Sequence, residues 1–136
     1  LVNGFLNGYY FSAFSQEYTV EWLTDTRFIL GVILYGGGAF LNWWSDQILI
    51  RLRKGGKKGY YIPRGGLFRW VSCPNFLGEI IQWTGFAVMT CSPAALVFAL
   101  WTFYNLVPRA LSHHKWYGET FADYPPERKA VLPYIL

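Results

Sequence analysis

Charge is scarce in this sequence: 15% of its 136 residues are Asp, Glu, Lys or Arg, against about a quarter in an ordinary soluble domain. Acid is the scarcer sign, with eight carboxylates against twelve Lys and Arg and a net charge of +4. Two cysteines cannot staple a chain of this length, which excludes a disulfide scaffold. The chain begins at Leu1 with neither an initiator Met nor a basic n-region, so a cleavable signal peptide is not expected there. No Gly-x-Gly-x-x-Gly fingerprint follows a strand pattern, which removes a Rossmann domain. What abounds is aromatic: seven Trp, ten Tyr and eleven Phe in a chain that is 53% hydrophobic. That excludes disorder and exceeds what a small soluble core could bury. The composition predicts a piece of a polytopic membrane protein, an all-α helical bundle.

Crossing the bilayer core takes about 20 helical residues at 1.5 Å each. Residues 28–50 are long enough, with a polar patch in their last third. Gly36, Gly37 and Gly38 in that stretch predict a face where another helix approaches closely. A second apolar block, 76–107, is interrupted at Ser92-Pro93, and proline disfavours helix in the residue before it. Two helices are expected from it, about 75–91 and 94–117. Residues 1–14 are apolar but too short to span and are expected to end a helix that begins upstream.

Seven of the basic residues lie within 51–69, a stretch without acid. Basic loops stay on the cytoplasmic side, so this loop and the C-terminal tail are expected to be cytosolic. Three polar stripes run toward the same end. Asn42 and Asp46, Asn75 and Glu79, and Arg109, His113 and Tyr117 are each spaced by four, which places them on one helical face. Trp83 continues the second stripe and Arg53 lies beyond the first. Ionisable groups near hydrocarbon face a bundle interior or a wet cavity. The stripes either pair with one another to hold the bundle or line a shared cavity. With an acid-free basic loop at the same end, a ligand bearing hydroxyls, amides and phosphates is favoured, and a dinucleotide fits.

Metal binding is disfavoured: His113 and His114 are adjacent and point to different faces, and no third ligand stands at the right spacing. Cys73 and Cys91 read as buried or interfacial thiols, and Trp43-Trp44 as a packing or interfacial pair.

The chain resembles the C-terminal half of the steroid 5α-reductase family. The likeness is carried in order by Asn42-Trp-Trp-Ser-Asp46, Leu52-Arg53-Lys54, Gly59-Tyr60-Tyr61-Ile62-Pro63-Arg64-Gly65-Gly66 and Val71-Ser-Cys-Pro-Asn75-Phe-Leu-Gly-Glu79. It continues through Asn105-Leu-Val-Pro-Arg109, His113-His-Lys-Trp-Tyr117 and Tyr124-Pro-Pro-Glu-Arg128-Lys-Ala-Val-Leu-Pro133. The resemblance implies the last part of a seven-helix fold over 1–136, its N-terminal helices lying outside this sequence. It implies a multi-pass enzyme of the endoplasmic reticulum membrane, or of the cell membrane if bacterial. Its activity would be NADPH-dependent reduction of the 4,5 double bond of a 3-oxo-Δ4-steroid. By motif, Asn42, Asp46, Arg53, Tyr60, Asn75, Glu79, Arg109, His113 and Tyr117 would contact NADPH, and Trp83 would sit between cofactor and steroid. The family's catalytic Tyr and Glu belong to its N-terminal helices. No catalytic residue is therefore assigned here, and these residues alone are expected to be inactive. Gln82 and Tyr61 depart from the residues many members carry there. Rival readings are an enoyl-CoA or polyprenol double-bond reductase of a sister family, and a membrane methyltransferase using S-adenosylmethionine.

Overall fold

A computed structural model of the chain describes residues 2–14, 18–54 and 59–136. Its elements are α1 (Val2–Ala13), α2 (Thr26–Lys54), α3 (Pro74–Thr90) and α4 (Pro93–Thr120), with 3-10 turns at Val20–Thr24 and Gly66–Arg69. Among the described residues there is no strand, only an isolated parallel bridge between Val71 and Lys129. Thr26–Arg53 and Pro93–Thr120 are long and apolar enough to cross a membrane. The protein is a membrane helical bundle.

Local chemistry sets the helix ends. Asp25 precedes α2 and accepts from the Arg27 backbone N–H at 2.8 Å, while the Arg27 guanidinium returns to the same carboxylate and lies over the Trp22 ring. An acceptor there satisfies one of the free N–H groups of the first turn. At the other end α2 is helical to Lys54, four residues past residue 50. Arg51 and Arg53 thus belong to helix rather than to loop 51–69, and Gly66–Arg69 forms a 3-10 turn. Lys57 and Lys58 of that loop lie outside the described residues. The α3–α4 break is made by Cys91, left-handed at φ 46°, followed by Ser92, which accepts from Ala95 N–H, and Pro93 at the first helical position.

α3 packs in front of α2, antiparallel to it, along a seam of glycines seven residues apart. A Cβ added at Gly78 would lie 2.5 Å from the Asn42 nitrogen, and one at Gly85 2.5 Å from the Tyr35 nitrogen. Gly38 meets the Gln82 backbone and Gly31 meets Met89 in the same way. Gly36 and Gly37, expected to share this face, have no atom within 4 Å of such a Cβ. Three consecutive residues cannot point to one helical face, so the seam uses Gly38 together with Gly31, two turns away.

The buried core lies at the basic end. Cys73, Leu77, Ala110, Ala130 and Val131 cluster there, with Leu41, Phe76, Ile81 and Val107 packed against them. Toward the other end large apolar side chains point outward, Trp101 at 67% exposure among them, as suits helices solvated by lipid or by other membrane helices.

Candidate functional site

Backbone pairing draws the tail, residues 121–136, into the basic end. Ser72 and Cys73 donate to the carbonyls of Lys129 and Ala130 at 2.8 and 3.1 Å, and Lys129 donates to Trp70 at 2.9 Å. The loop before the Gly66–Arg69 turn is clipped to the tail by Arg64 and Asp123 at 3.4 Å, an exposed pair that contributes little by itself. Positive φ at Gly65 and Gly66 (96° and 50°) lets that loop fold back against Trp44 and Ile48 of α2. Four segments thereby meet: the C-terminal part of α2, the start of α3, the C-terminal part of α4 and the tail.

Asp46 and Asn75, from α2 and α3, come together directly: the Asn75 amide donates to the Asp46 carboxylate at 3.2 Å. Asn42 and Glu79 are half-buried one turn from them. Tyr60 crosses the chain to set its ring edge-on to Trp116, 5.1 Å between centroids. Together with Ser112 and His113 these two rings line a hollow of about 390 Å³. His113 also lies over Phe76, 6.0 Å away. Tyr117 stacks on Tyr124 at 5.4 Å and 8°, and the charges of Arg53 and Arg128 both bear on its hydroxyl. Arg109 is exposed on α4. Trp83 stands apart, further along α3, wedged against Phe98 at 4.5 Å and Tyr35 at 6.4 Å.

The three stripes share one end of the bundle. The hollow contains Tyr60 and His113 of the nine expected residues; Arg109 and Glu79 stay outside it. Mutual pairing does not account for the stripes either. Asp46 with Asn75 is the one bonded pair among them, and Arg53, Glu79 and Arg109 make no ion pair among the described residues.

The sequence reading passed over Arg128. Its side chain is 5% exposed, its guanidinium lies over the Tyr124 ring at 5.3 Å, and its Nε and Nη1 are buried without a hydrogen-bond partner. A buried cation without a counter-charge is strongly disfavoured, so the environment calls for an anion. Arginine suits phosphate, which it grips through paired N–H groups. Arg128 sits in one of the matching stretches but on no helical stripe, and no motif role pointed to it. Cys73 contributes no chemistry: burial pushes its thiol up to about 12, so it stays protonated and weakly nucleophilic. Among the described residues no three of His, Cys, Asp and Glu converge on a point.

A family model described as 3-oxo-5-alpha-steroid 4-dehydrogenase matches residues 1–136. The 3-oxo-5-alpha-steroid 4-dehydrogenase 2 of Sus scrofa is 51% identical over 133 residues, covering 98% of this chain and 52% of the relative. The steroid 5-alpha-reductase DET2 of Solanum lycopersicum is 46% identical over 136 residues, covering 99% and 52%. The 3-oxo-5-alpha-steroid 4-dehydrogenase 1 of Rattus norvegicus is 46% identical over 134 residues, covering 98% and 51%. The chain spans about half the length of the curated relatives it matches.

Proposed function

We propose, from the premise that this chain belongs to the 3-oxo-5-alpha-steroid 4-dehydrogenase family, that it is the cofactor-binding part of a membrane oxidoreductase. The full enzyme reduces the 4,5 double bond of a 3-oxo-Δ4-steroid with NADPH. It is a multi-pass protein of the endoplasmic reticulum membrane with its basic end toward the cytosol, and the N-terminal helices of the same protein complete the steroid site.

The observation that carries this reading is Arg128, buried with two donors unanswered, at the end where Arg53 and Arg109 are also free of ion pairs. These cations neutralise the phosphates of the dinucleotide. Tyr60 and Trp116 offer it flat rings beside His113. The Asp46–Asn75 pair, already hydrogen-bonded, presents an acceptor and a donor without reorganising, and Asn42, Glu79 and Tyr117 add polar groups around it. Trp83, held edge-on by Phe98 and Tyr35, forms a dry wall that separates cofactor from steroid. When bound, the reduced nicotinamide supplies the hydride for carbon 5. The proton for carbon 4 and the donor to the 3-oxygen come from outside this chain.

The full-length protein, including whatever precedes Leu1, tests the reading when assayed with NADPH against a 3-oxo-Δ4-steroid, an enoyl-CoA and a polyprenol. Oxidation of NADPH with the steroid alone is expected. Turnover of either other lipid instead would move the protein to a sister chemistry. Binding of S-adenosylmethionine without NADPH would make it a methyltransferase, a reading under which Arg128 has no phosphate to meet.

A further inference from the structure

Ser72 is 3% exposed and its hydroxyl is a junction. Its Oγ lies 2.6 Å from His114 Nδ1, 2.5 Å from the Tyr124 hydroxyl and 3.1 Å from the Lys129 carbonyl oxygen. The three partners belong to α4 and to two points of the tail, while Ser72 itself lies just before α3. One hydroxyl thus ties together three of the segments that carry the dinucleotide residues.

A serine hydroxyl has one proton and two lone pairs, so three partners saturate it. Either hydroxyl of the Ser72–Tyr124 pair can donate, and the arrangement that serves all three partners has Tyr124 donating. The serine's own proton turns either to the Lys129 carbonyl, in which case Nδ1–H of His114 donates, or to a bare Nδ1. The Lys129 carbonyl already accepts from Ser72 N–H at 2.8 Å, so neither arrangement leaves a buried group orphaned. The knot survives both states of the imidazole.

What the knot fixes lies within three residues or one ring of it. His114 is adjacent to His113 and three residues before Tyr117. The Tyr124 ring stacks on Tyr117 and supports the Arg128 guanidinium. Lys129 follows Arg128, and Asn75 comes three residues after Ser72. We infer that Ser72 is a positioning residue for the dinucleotide: through His114 and Tyr124 it sets where Tyr117, His113 and Arg128 stand relative to Asn75. The inference rests on reading the basic end as a dinucleotide site. A purely structural knot would change stability alone. A positioning knot changes cofactor affinity, because each group it holds bears on the bound dinucleotide and none on the bond being reduced.

The test measures KM for NADPH, kcat and thermal midpoint in full-length protein carrying Ser72→Ala, Tyr124→Phe, His114→Ala or His114→Asn. Ser72→Ala, Tyr124→Phe and His114→Ala should raise KM for NADPH about threefold to tenfold with kcat held within about twofold, the range of a hydrogen bond lost from a junction. His114→Asn, whose side-chain amide stands where Nδ1 stood, should restore the parental KM. If Ser72→Ala does not fold, Tyr124→Phe, which keeps the stacked ring and removes only the hydroxyl, decides. Unchanged KM in Tyr124→Phe, with or without a lower thermal midpoint, overturns the inference, as does a kcat that falls as far as KM rises. Parent protein that binds no NADPH overturns the dinucleotide reading, and the inference with it.

Discussion

The two ends of the bundle are held by different physics. Toward the Cys91–Ser92 turn, α2 and α3 touch backbone to backbone at Gly31 and Gly85. There α3 and α4 flank an apolar groove of about 480 Å³ lined by residues such as Thr84, Val88, Leu96 and Leu100. At the basic end the glycine seam continues at Gly38 and Gly78, but beside it lie polar side chains, a folded-back tail and a buried arginine with unanswered donors. At the first end, shape decides what can be substituted. At the second, charge decides, and among the described residues Arg53, Arg109 and Arg128 have no ion-pair partner. A fold built only for stability would have no use for Arg128, because well-packed apolar residues in its place would cost less.

The largest effect should come from breaking the seam. Gly85→Leu places a side chain on the Tyr35 and Gly31 backbones and should cost more than about 3 kcal/mol, so little folded protein is recovered from detergent. Gly36→Ala and Gly37→Ala, which meet nothing within 4 Å, should leave the thermal midpoint unchanged. A folded Gly85→Leu would contradict the shape-governed packing at the Cys91 end.

Next comes Arg128→Met. Charge-assisted hydrogen bonds contribute about 1.5–3 kcal/mol, so NADPH affinity should fall between about tenfold and a hundredfold. The ligand-free thermal midpoint should hold or rise, because an unanswered buried charge has been removed. A lower ligand-free midpoint with unchanged affinity would make Arg128 a structural cation and dissolve the contrast between the ends. Arg53→Ala and Arg109→Ala, at exposed positions, should each weaken NADPH about tenfold, read by equilibrium binding, and leave stability alone.

Much of this was legible in the sequence and some was not. Apolar length, the Ser92-Pro93 break and the low charge were enough for a membrane helical bundle, because each is a local property. Spacing by four found Asp46 and Asn75, which bond across two helices. The same rule found His113 and Tyr117 at the basic end. It could not find Ser72, whose hydroxyl partners lie 42 to 57 residues away, nor Tyr124 and Arg128, which are four apart but outside any helix, in a tail whose pairing with 70–73 has no periodic signature. Gly31 and Gly85 escaped for a similar reason: one glycine per two turns is inconspicuous beside three in a row. The end of α2 ran past its apolar stretch because arginine and lysine are good helix formers and no breaker intervenes.

The smallest effect sharpens the comparison without altering stability. Cys91 is exposed and Cys73 buried, with its thiol pushed up to about 12. At mildly alkaline pH a water-soluble maleimide should therefore label Cys91 and spare Cys73 until the protein is denatured, as mass spectrometry of the two peptides would show. Labelling of native Cys73 would mean that the core at the basic end opens.

We propose that the arginines at the basic end answer the phosphates of one redox dinucleotide. Thermal unfolding of the full-length protein across a titration of NADPH tests it most directly. A saturable rise is predicted, equivalent to about 2.7 kcal/mol when NADPH reaches a hundred times its Kd. A midpoint that does not move with NADPH at any concentration would contradict it.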